Sequence, residues 1–194
     1  MTTCFLVRHG RTRANIDGIF AGHSDDPLLP EGRDQAARAA ELLLGRGVSR
    51  IYSSPVARAW ETASIMGNVL NAGVVRDDAL TDIDIPAWEG QRKDILMAEP
   101  GSGYQLWKKA PDSFVPDNGE SLYDVQKRSV KRVKELFEHH SGDCFAVVTH
   151  LAVARCLVLG LEPSPLSMYR NIKIFNGEPI EIVYNNAHFT VNLR

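Results

Sequence analysis

The sequence predicts an α/β fold in which helices cover both faces of a mostly parallel mixed sheet, a three-layer α/β/α sandwich. Short apolar runs alternate along the chain with segments of helical periodicity, the order expected of parallel strands joined by helices. Several of these runs are apolar throughout, as expected for strands buried on both faces. With 194 residues and neither a repeat nor a linker, residues 1–194 are expected to form one domain.

The first predicted strand is Phe5-Leu6-Val7, which ends at Arg8-His9-Gly10. A loop rich in Gly, Asp and Pro follows, and a helix is predicted from Glu31 to Leu44. Gly45 and Gly47 come directly after this helix, and two glycines favour its termination there.

The second predicted strand is Ile51-Tyr52. Ser54 is the expected N-cap of the next helix and Pro55 its first residue, because Ser accepts a backbone hydrogen bond and Pro needs no donor at that position. The helix is expected to continue to Leu70, and a weak strand is predicted at Val74-Val75.

The second half of the chain shows longer periodic segments and ends in β-rich sequence. The elements predicted there are helical pieces in 95–109, a helix over Glu120–His139, a buried strand at Phe145–Val148, a buried helix over Leu151–Leu161, and strands in 172–193 with a turn at Asn176-Gly177.

Composition excludes several function classes. The formal net charge is −2, so the overall charge predicts neither a nucleic-acid nor a membrane partner. No segment reaches the length of a membrane span, the N-terminus lacks a signal-peptide pattern, and the 3 cysteines include no CxxC pair. A cytoplasmic protein is therefore expected, and the sequence makes no prediction of its oligomeric state.

Three predicted strand ends carry cationic or titratable side chains. Arg8 and His9 follow the first strand, Arg58 lies early in the helix after the second, and His150 follows the strand at Phe145–Val148. In parallel sheets ligands bind beyond the carboxyl ends of the strands, where helix N-termini also favour anions. These residues therefore predict a phosphate site.

A metal site is not predicted. Two histidines could ligate a metal, but zinc sites use three or four ligands, and no HExxH or comparable spacing occurs. Arginines beside the two histidines would also repel a cation. We expect no metal and no cofactor. The remaining histidines, expected at the surface or in structural roles, are His23, His139, His140 and His188.

The motifs, taken in order, resemble the histidine phosphatase superfamily, which comprises cofactor-dependent phosphoglycerate mutases and their phosphatase relatives. They are Leu6–Gly10, Asn15, Gly22, Asp26–Leu28, Tyr52–Pro55, Arg58, Thr62-Ala63, Leu80–Gly90, Gly119–Ser121, Val147–His150 and Arg155. The resemblance spans almost the whole chain. It implies a phosphoglycerate mutase-like fold.

The resemblance also implies roles for individual residues. His9 would be the nucleophile that becomes phosphorylated, and Arg8, Arg58 and a protonated His150 would surround the phosphoryl group. Guanidinium groups suit this task because their planar fork pairs with phosphate oxygens. The implied substrate-binding positions are Asn15, through its amide, Gly22, Leu151, through its backbone N–H, and Arg11, where many relatives have Glu.

The departing alcohol needs a proton, which calls for a carboxylic acid kept protonated near neutral pH. Asp82 occupies the place where similar family members usually carry Glu, and Asp84 is the second candidate. Glu89 is expected to be structural. Two further departures from the family, Leu151 and Pro86 in place of glycines, bear on efficiency and substrate range.

Three outlying charged residues are expected to be structural. Glu120 would lie in the first helical turn, where its charge favours the helix dipole. Arg128 and Arg155 would form ion pairs, since an arginine in the apolar helix 151–161 needs a partner.

The leading functional hypothesis is a metal-independent phosphomonoesterase that acts on a small phosphorylated metabolite through phosphohistidine. Mutases of the family carry a larger insertion and more basic residues over the pocket, whereas residues 91–118 here contain only Arg92, Lys93, Lys108 and Lys109. A mutase is therefore the second hypothesis, and a phospholigand-binding protein without turnover is the third. Tyr104 and Trp107 could line the entrance or belong to the core.

Overall fold

The computed structural model describes residues 1–193, which contain one six-stranded sheet. Its strands are β1 (Thr2–Arg8), β2 (Val48–Ser53), β3 (Gly73–Arg76), β4 (Cys144–Thr149), β5 (Pro179–Asn185) and β6 (His188–Asn192). Their order is β3-β2-β4-β1-β5-β6, with β1 to β4 parallel and β5 and β6 added antiparallel at one side. The predicted mostly parallel mixed sheet is confirmed.

The helices follow the predicted alternation with the strands. They are α1 (Arg13–Asp17), α2 (Pro30–Glu41), α3 (Ala57–Leu70), α4 (Lys93–Ala98), α5 (Tyr104–Lys109), α6 (Leu122–His139) and α7 (Leu151–Leu161). Short 3-10 segments occupy Asp78–Leu80, Pro86–Trp88, Pro111–Ser113 and Leu166–Asn171. In residues 1–193 no helix combines the length and the apolar character needed to cross a bilayer.

Alternating side chains of β1 divide the core into two layers. Phe5 and Val7 face α2 and α3, together with Ala39, Ala63 and Met66. Cys4 and Leu6 face the opposite way and join a larger cluster formed with α6 and α7, which includes Leu122, Phe137, Val153 and Leu157. Because successive strand residues point to opposite faces, one strand serves both layers. The predicted three-layer sandwich is confirmed.

Aromatic packing holds α4 and α5 over one edge of the sheet. Trp88 is 1% exposed, stacks on Phe114 at 4.7 Å between ring centroids, and makes edge contacts with Phe20, Tyr104 and Trp107. Its indole N–H donates to the carbonyl of Ser102 at 2.9 Å. Three members of this cluster, Phe20, Tyr104 and Trp107, line a cavity beyond the strand ends.

One predicted cap is wrong, and one predicted turn does not join two strands. The N-cap of α3 is Val56, and the Ser54 hydroxyl instead lies 2.8 Å from a ring nitrogen of His150. The hairpin between β5 and β6 turns at Asn186-Ala187, both with positive φ, as a two-residue turn of this kind requires. The turn predicted at Asn176-Gly177 is present, with Gly177 at φ 70°, but it leads into β5 without a preceding strand. Gly177 donates its N–H to the carbonyl of Arg8.

Helix ends also differ from the predictions. The helix predicted over 31–44 is α2, which ends at Glu41, and turns carry the chain to Gly47. The long helix begins at Leu122, because Ser121 caps it and forms a reciprocal capping box with Asp124. Glu120 therefore lies outside the helix, and its carboxylate pairs with Arg128 at 2.6 Å instead of acting on the helix dipole.

Candidate active site

His9 is buried at the end of β1 with its tautomer defined by a backbone contact. Its Nδ1 lies 2.7 Å from the carbonyl oxygen of Gly10. A carbonyl oxygen can only accept a hydrogen bond, so Nδ1 carries the proton and Nε2 keeps its lone pair. The ring is 3% exposed, and it lines the cavity. Nε2 is therefore the nitrogen with the lone pair that a nucleophile needs, and in this structure that lone pair accepts the Nε–H of Arg58.

Arg58 lies in the first turn of α3 and reaches His9 directly. Its Nε is 3.3 Å from Nε2 of His9, and the side chain is almost fully buried. Three backbone carbonyls orient the guanidinium group, those of Ala21 at 2.9 Å, Gly22 at 2.7 Å and Ser24 at 3.2 Å. Carbonyl oxygens compensate part of the buried charge without neutralising it, which keeps the cation available to an anionic ligand.

Glu89 fixes the loop that supplies these carbonyls. Its carboxylate accepts hydrogen bonds from the backbone N–H groups of Gly22, His23 and Ser24, at 3.0 to 3.2 Å. These contacts lower the pKa of the Glu89 carboxyl although partial burial opposes them. A side chain at Gly22 would approach the carbonyl oxygen of Ile83 to 2.8 Å. Glu89 therefore has the structural role expected of it.

His150 brings a second imidazole to the site from the end of β4. The ring centroids of His9 and His150 are 5.2 Å apart, and His150 is fully buried. Its Nε2 lies 2.8 Å from the Ser54 hydroxyl, and its Nδ1 lies 3.5 Å from a carboxylate oxygen of Asp82. The neighbouring α7 begins at Leu151, so unpaired backbone N–H groups of its first turn face this region.

Asp82 joins the same cluster from the loop after Leu80. One carboxylate oxygen is 3.3 Å from Nη2 of Arg58, and the other accepts the N–H of Ile83 at 2.9 Å. Burial raises the pKa of the Asp82 carboxyl, although Arg58 and the Ile83 N–H oppose that rise. Asp84 directs its backbone to Glu120 and is absent from the residues that line the cavity.

The surroundings of both histidines lower their pKa values and so favour the neutral form. Burial lowers the pKa of His9 well below its usual value, and the charges of Arg58 and Arg8 lower it further. Burial, Arg58 and His9 lower the pKa of His150 in the same direction. For His9 this agrees with a nucleophile, which needs a free lone pair. For His150 it disagrees with the expected protonated ring.

The cavity beyond the strand ends has a volume of about 250 Å³. Six of the nine predicted site residues line it, namely Arg8, His9, Asn15, Arg58, Asp82 and Leu151. Three do not. His150 is buried behind the cavity wall, with its ring against that of His9 and its Nε2 at the Ser54 hydroxyl. Arg11 pairs with Glu31 at 3.0 Å on the exposed surface. Gly22 contributes its backbone to Arg58 behind the cavity wall.

Asn176 is a site residue that the sequence did not reveal. Its amide donates to the carbonyl of His9 at 2.8 Å and lies 3.3 Å from the side-chain oxygen of Asn15. The partners are more than 160 residues away in the chain, and the Asn-Gly pair had instead indicated a hairpin turn. The sequence contains no local signal for this contact.

The cavity wall is more basic and more aromatic than the sequence indicated. Side chains that complete it include Lys93, Tyr104, Trp107, Lys108, Arg155, Tyr169 and Arg170. Tyr104 and Trp107 both line the cavity and belong to the core. The ion pair expected of Arg155 does not form within residues 1–193. Its Nε donates to the carbonyl of Ile172 at 2.8 Å, and its guanidinium lies over the Tyr169 ring.

Metal ligands are not clustered in the part of the chain that the structure describes. No group of three or more His, Cys, Asp or Glu side chains there has a geometry that could hold a metal ion.

Comparison with known proteins identifies the family of this chain. A family model described as the histidine phosphatase superfamily (branch 1) matches residues 4–194. The adenosylcobalamin/alpha-ribazole phosphatase of Escherichia coli (strain K12) is 28% identical over 173 residues, which cover 89% of this chain and 85% of that protein. Phosphoserine phosphatase 1 of Hydrogenobacter thermophilus is 29% identical over 167 residues, which cover 84% and 79%.

Among solved structures, Bacillus stearothermophilus YhfR superposes with a TM-score of 0.93 at 29% identity, covering 98% of this chain and 95% of that one. The agreement confirms the predicted phosphoglycerate mutase-like fold class. Since the family model spans nearly the whole sequence, this chain belongs to the histidine phosphatase superfamily, branch 1.

Proposed function

We propose that this protein is a phosphomonoesterase that hydrolyses a small phosphorylated metabolite through a phosphohistidine on His9, without a metal ion. The observation that carries the proposal is the state of the His9 ring. Its Nδ1 is bound to the Gly10 carbonyl, and its Nε2 lies 3.3 Å from Nε of Arg58 inside a cavity. Relatives named as phosphatases of small metabolites support the same reaction.

In the first step, Nε2 of His9 attacks phosphorus, and the bond from phosphorus to the ester oxygen breaks. Arg58 and Arg8 offset the negative charge on the transferring oxygens, the task that metal ions perform in other phosphoryl-transfer enzymes. Arg8 is suited to this because its Nε is buried without a hydrogen-bond partner among the described residues. As the N–P bond forms, the carbonyl of Gly10 stabilises the positive charge that develops on the ring.

Asp82 supplies the proton that the departing alkoxide takes up. Burial raises its pKa, so the acid form persists to higher pH than for a solvated aspartic acid. In the second step water attacks the phosphohistidine, Asp82 accepts the proton of that water, and phosphate and free His9 are released. The first and second steps thus return Asp82 to its starting state.

His150 takes part in this scheme as a hydrogen-bond donor to the phosphoryl group. Its pKa is lowered by burial and by Arg58, but a phosphate dianion beside the ring would raise it. Either ring form can donate one hydrogen bond, because a neutral imidazole keeps one N–H.

Hydrolysis of a chromogenic aryl phosphate in the presence of a chelator tests the proposal. We expect release of phosphate by the native protein and a loss of at least 1000-fold in His9→Ala, in the order of effects seen for nucleophile removal. His139→Ala is the matched control, since that ring is exposed on the far end of α6, and it should retain full activity. Equal activity of His9→Ala and the native protein would refute the proposal.

The two rival functions give different results in the same experiment. A mutase would isomerise phosphoglycerate and release little phosphate. A binding protein would bind phosphate saturably and release none from either ester.

Two further points belong to the proposal. We propose that residues 1–194 act as one domain, supported by β1 and β5 pairing from opposite ends of the chain. We also propose a cytoplasmic location, supported by free thiols at Cys4, Cys144 and Cys156.

A further inference from the structure

Ser54 follows β2 directly and is fully buried beside His150. Its hydroxyl oxygen lies 2.8 Å from Nε2 of the His150 ring. Among the described residues Ser54 is not one of those that line the cavity, so its hydroxyl does not meet a substrate there. Any effect of Ser54 on the reaction must therefore act through the imidazole ring that it contacts.

The direction of this hydrogen bond follows from the other contacts of the hydroxyl. The backbone N–H of Val56 donates to Oγ of Ser54 at 3.3 Å, which occupies one lone pair of that oxygen. The hydroxyl still has one proton to donate, and the hydrogen bonds of residues 1–193 offer it a single acceptor, Nε2 of His150. Because a buried donor without a partner costs free energy, this proton is directed at Nε2.

This direction fixes the position of the ring proton. An imidazole nitrogen that accepts a hydrogen bond carries no proton, so in the neutral ring the proton lies on Nδ1. Nδ1 of His150 lies 3.5 Å from Oδ2 of Asp82, the carboxylate oxygen that also lies 3.3 Å from Nη2 of Arg58. The protonated nitrogen therefore faces the charged groups around His9, and the unprotonated nitrogen faces Ser54.

The opposite tautomer is disfavoured at both ring nitrogens. With the proton on Nε2, the Ser54 hydroxyl would be a buried donor without an acceptor in the described part of the chain. Nδ1 would then direct its lone pair toward the Asp82 carboxylate, and two acceptors repel each other. Both contacts favour the proton on Nδ1.

The N–H at Nδ1 of His150 is free to meet a ligand. Nδ1 is buried and makes no hydrogen bond to any described residue. The neighbouring ring of His9 offers it no acceptor, because Nδ1 of His9 donates to the Gly10 carbonyl and Nε2 accepts from Arg58. A phosphoryl group on Nε2 of His9 would bring anionic oxygens beside this N–H, and a hydrogen bond to a charged acceptor is stronger than one to a neutral acceptor.

We propose that Ser54 is a positioning residue of the reaction: its hydroxyl donates to Nε2 of His150 and so keeps the ring proton on Nδ1, from which His150 donates to the phosphoryl group. The first half of this inference rests on the hydrogen bonds of Ser54 alone. The second half rests on the proposed function. The arrangement lets a ring whose pKa is lowered by burial act as a donor in its neutral form.

Nitrogen NMR of isotope-labelled histidine tests the first half without any measurement of activity. Protonated and unprotonated imidazole nitrogens resonate far apart, and the signals lost in His150→Gln identify this ring. At about pH 8, where histidine is neutral, we expect the native ring to carry its proton on Nδ1. The Nε2 signal should move in Ser54→Ala, since the hydrogen bond that it accepts is lost. A native ring with its proton on Nε2 would overturn the proposal.

Kinetics with the aryl phosphate tests the second half. Ser54→Ala should lower kcat about tenfold, the value of one hydrogen bond, and change KM by less than about threefold, because alignment of the donor matters most as charge develops on the phosphoryl oxygens. Ser54→Thr keeps the hydroxyl and should recover kcat to within about threefold of the native value.

Ser53→Ala is the matched control. It removes a buried hydroxyl from the neighbouring position, one that donates to the Ser54 carbonyl at 2.9 Å and is not hydrogen-bonded to His150. We expect the NMR signals of His150 to keep their positions in Ser53→Ala, and kcat to stay within about twofold of the native value.

The outcomes separate the two proposals. A loss of kcat in Ser54→Ala that Ser54→Thr restores supports the role of Ser54. Equal kcat in Ser54→Ala and the native protein, or an equal loss in Ser53→Ala, would overturn that role while hydrolysis by the native protein stood. If the native protein hydrolysed no ester, the phosphatase would be overturned, and the spectrum of the native ring would still decide the tautomer, even if Ser54→Ala failed to fold.

Discussion

Replacing Asp82 with Asn isolates the proton that the proposed mechanism delivers to the leaving group. The Asp82 carboxylate oxygen lies 3.3 Å from Nη2 of Arg58 and 3.5 Å from Nδ1 of His150. Asn has nearly the same size, and its amide oxygen can still accept from Arg58. Asp82→Asn therefore removes the acid while it retains most of the local packing.

The expected magnitude depends on the leaving group. A positioned general acid contributes about 100-fold to 10,000-fold to a reaction that needs one. For an alkyl phosphate, whose alkoxide is a poor leaving group, we expect Asp82→Asn to lower kcat/KM by at least about 100-fold. For p-nitrophenyl phosphate, whose phenolate departs without a proton, the loss should stay below about tenfold.

The pH dependence supplies a second measurement of the same effect. Asp82 acts in its protonated form, so activity toward the alkyl ester should fall as pH rises through its pKa, which burial raises. That alkaline limb should be absent in Asp82→Asn. Steady-state kinetics of both esters, measured from about pH 4 to about pH 9, records both effects. Equal losses for the two esters would contradict the assignment of Asp82 as the acid.

Three further changes probe the support of the site. Glu89→Gln weakens the hydrogen bonds that fix the loop whose carbonyls orient Arg58, so kcat/KM should fall about tenfold through misplacement of that guanidinium group; an unchanged rate would refute this. A Cβ at Gly10 would lie 2.2 Å from the carbonyl oxygen of Gly32, so Gly10→Ala should lower the free energy of unfolding in urea by about 1–3 kcal/mol. Folding lowers the pKa values of His9 and His150. Below about pH 6.5, the pKa of a histidine in an unfolded chain, the unfolded protein therefore binds more protons than the folded protein. Stability should therefore fall with decreasing pH there, by up to about 1.4 kcal/mol per pH unit for each ring, and His150→Gln should reduce that slope.

Local pattern accounts for most of the fold that could be predicted. The apolar runs at 5–7 and 145–148 lie within the two central strands, and the apolar segment 151–161 is α7 with the predicted bounds. These elements are buried on all sides, so their composition alone reveals their environment. Caps and turns were harder, because Ser54 and Asn176 form tertiary contacts that outweigh their local preferences.

The sequence by itself determined that three site candidates meet at one edge of the sheet. His9, Arg58 and His150 each follow a strand that a parallel sheet directs to the same edge, so their order along the chain was enough to bring them together. Asp82 was accessible only through the family resemblance, since a loop carboxylate has no periodic pattern.

Only the tertiary structure decided how the rest of the cavity is charged. Arg170 and Lys93 are separated by 77 positions in the printed sequence and meet around one cavity, whereas Arg11, two residues from His9, pairs outside it with Glu31. Proximity along the chain does not specify which direction a side chain takes. That direction depends on packing between distant segments, here the Trp88 cluster that brings α4 and α5 over the strand ends.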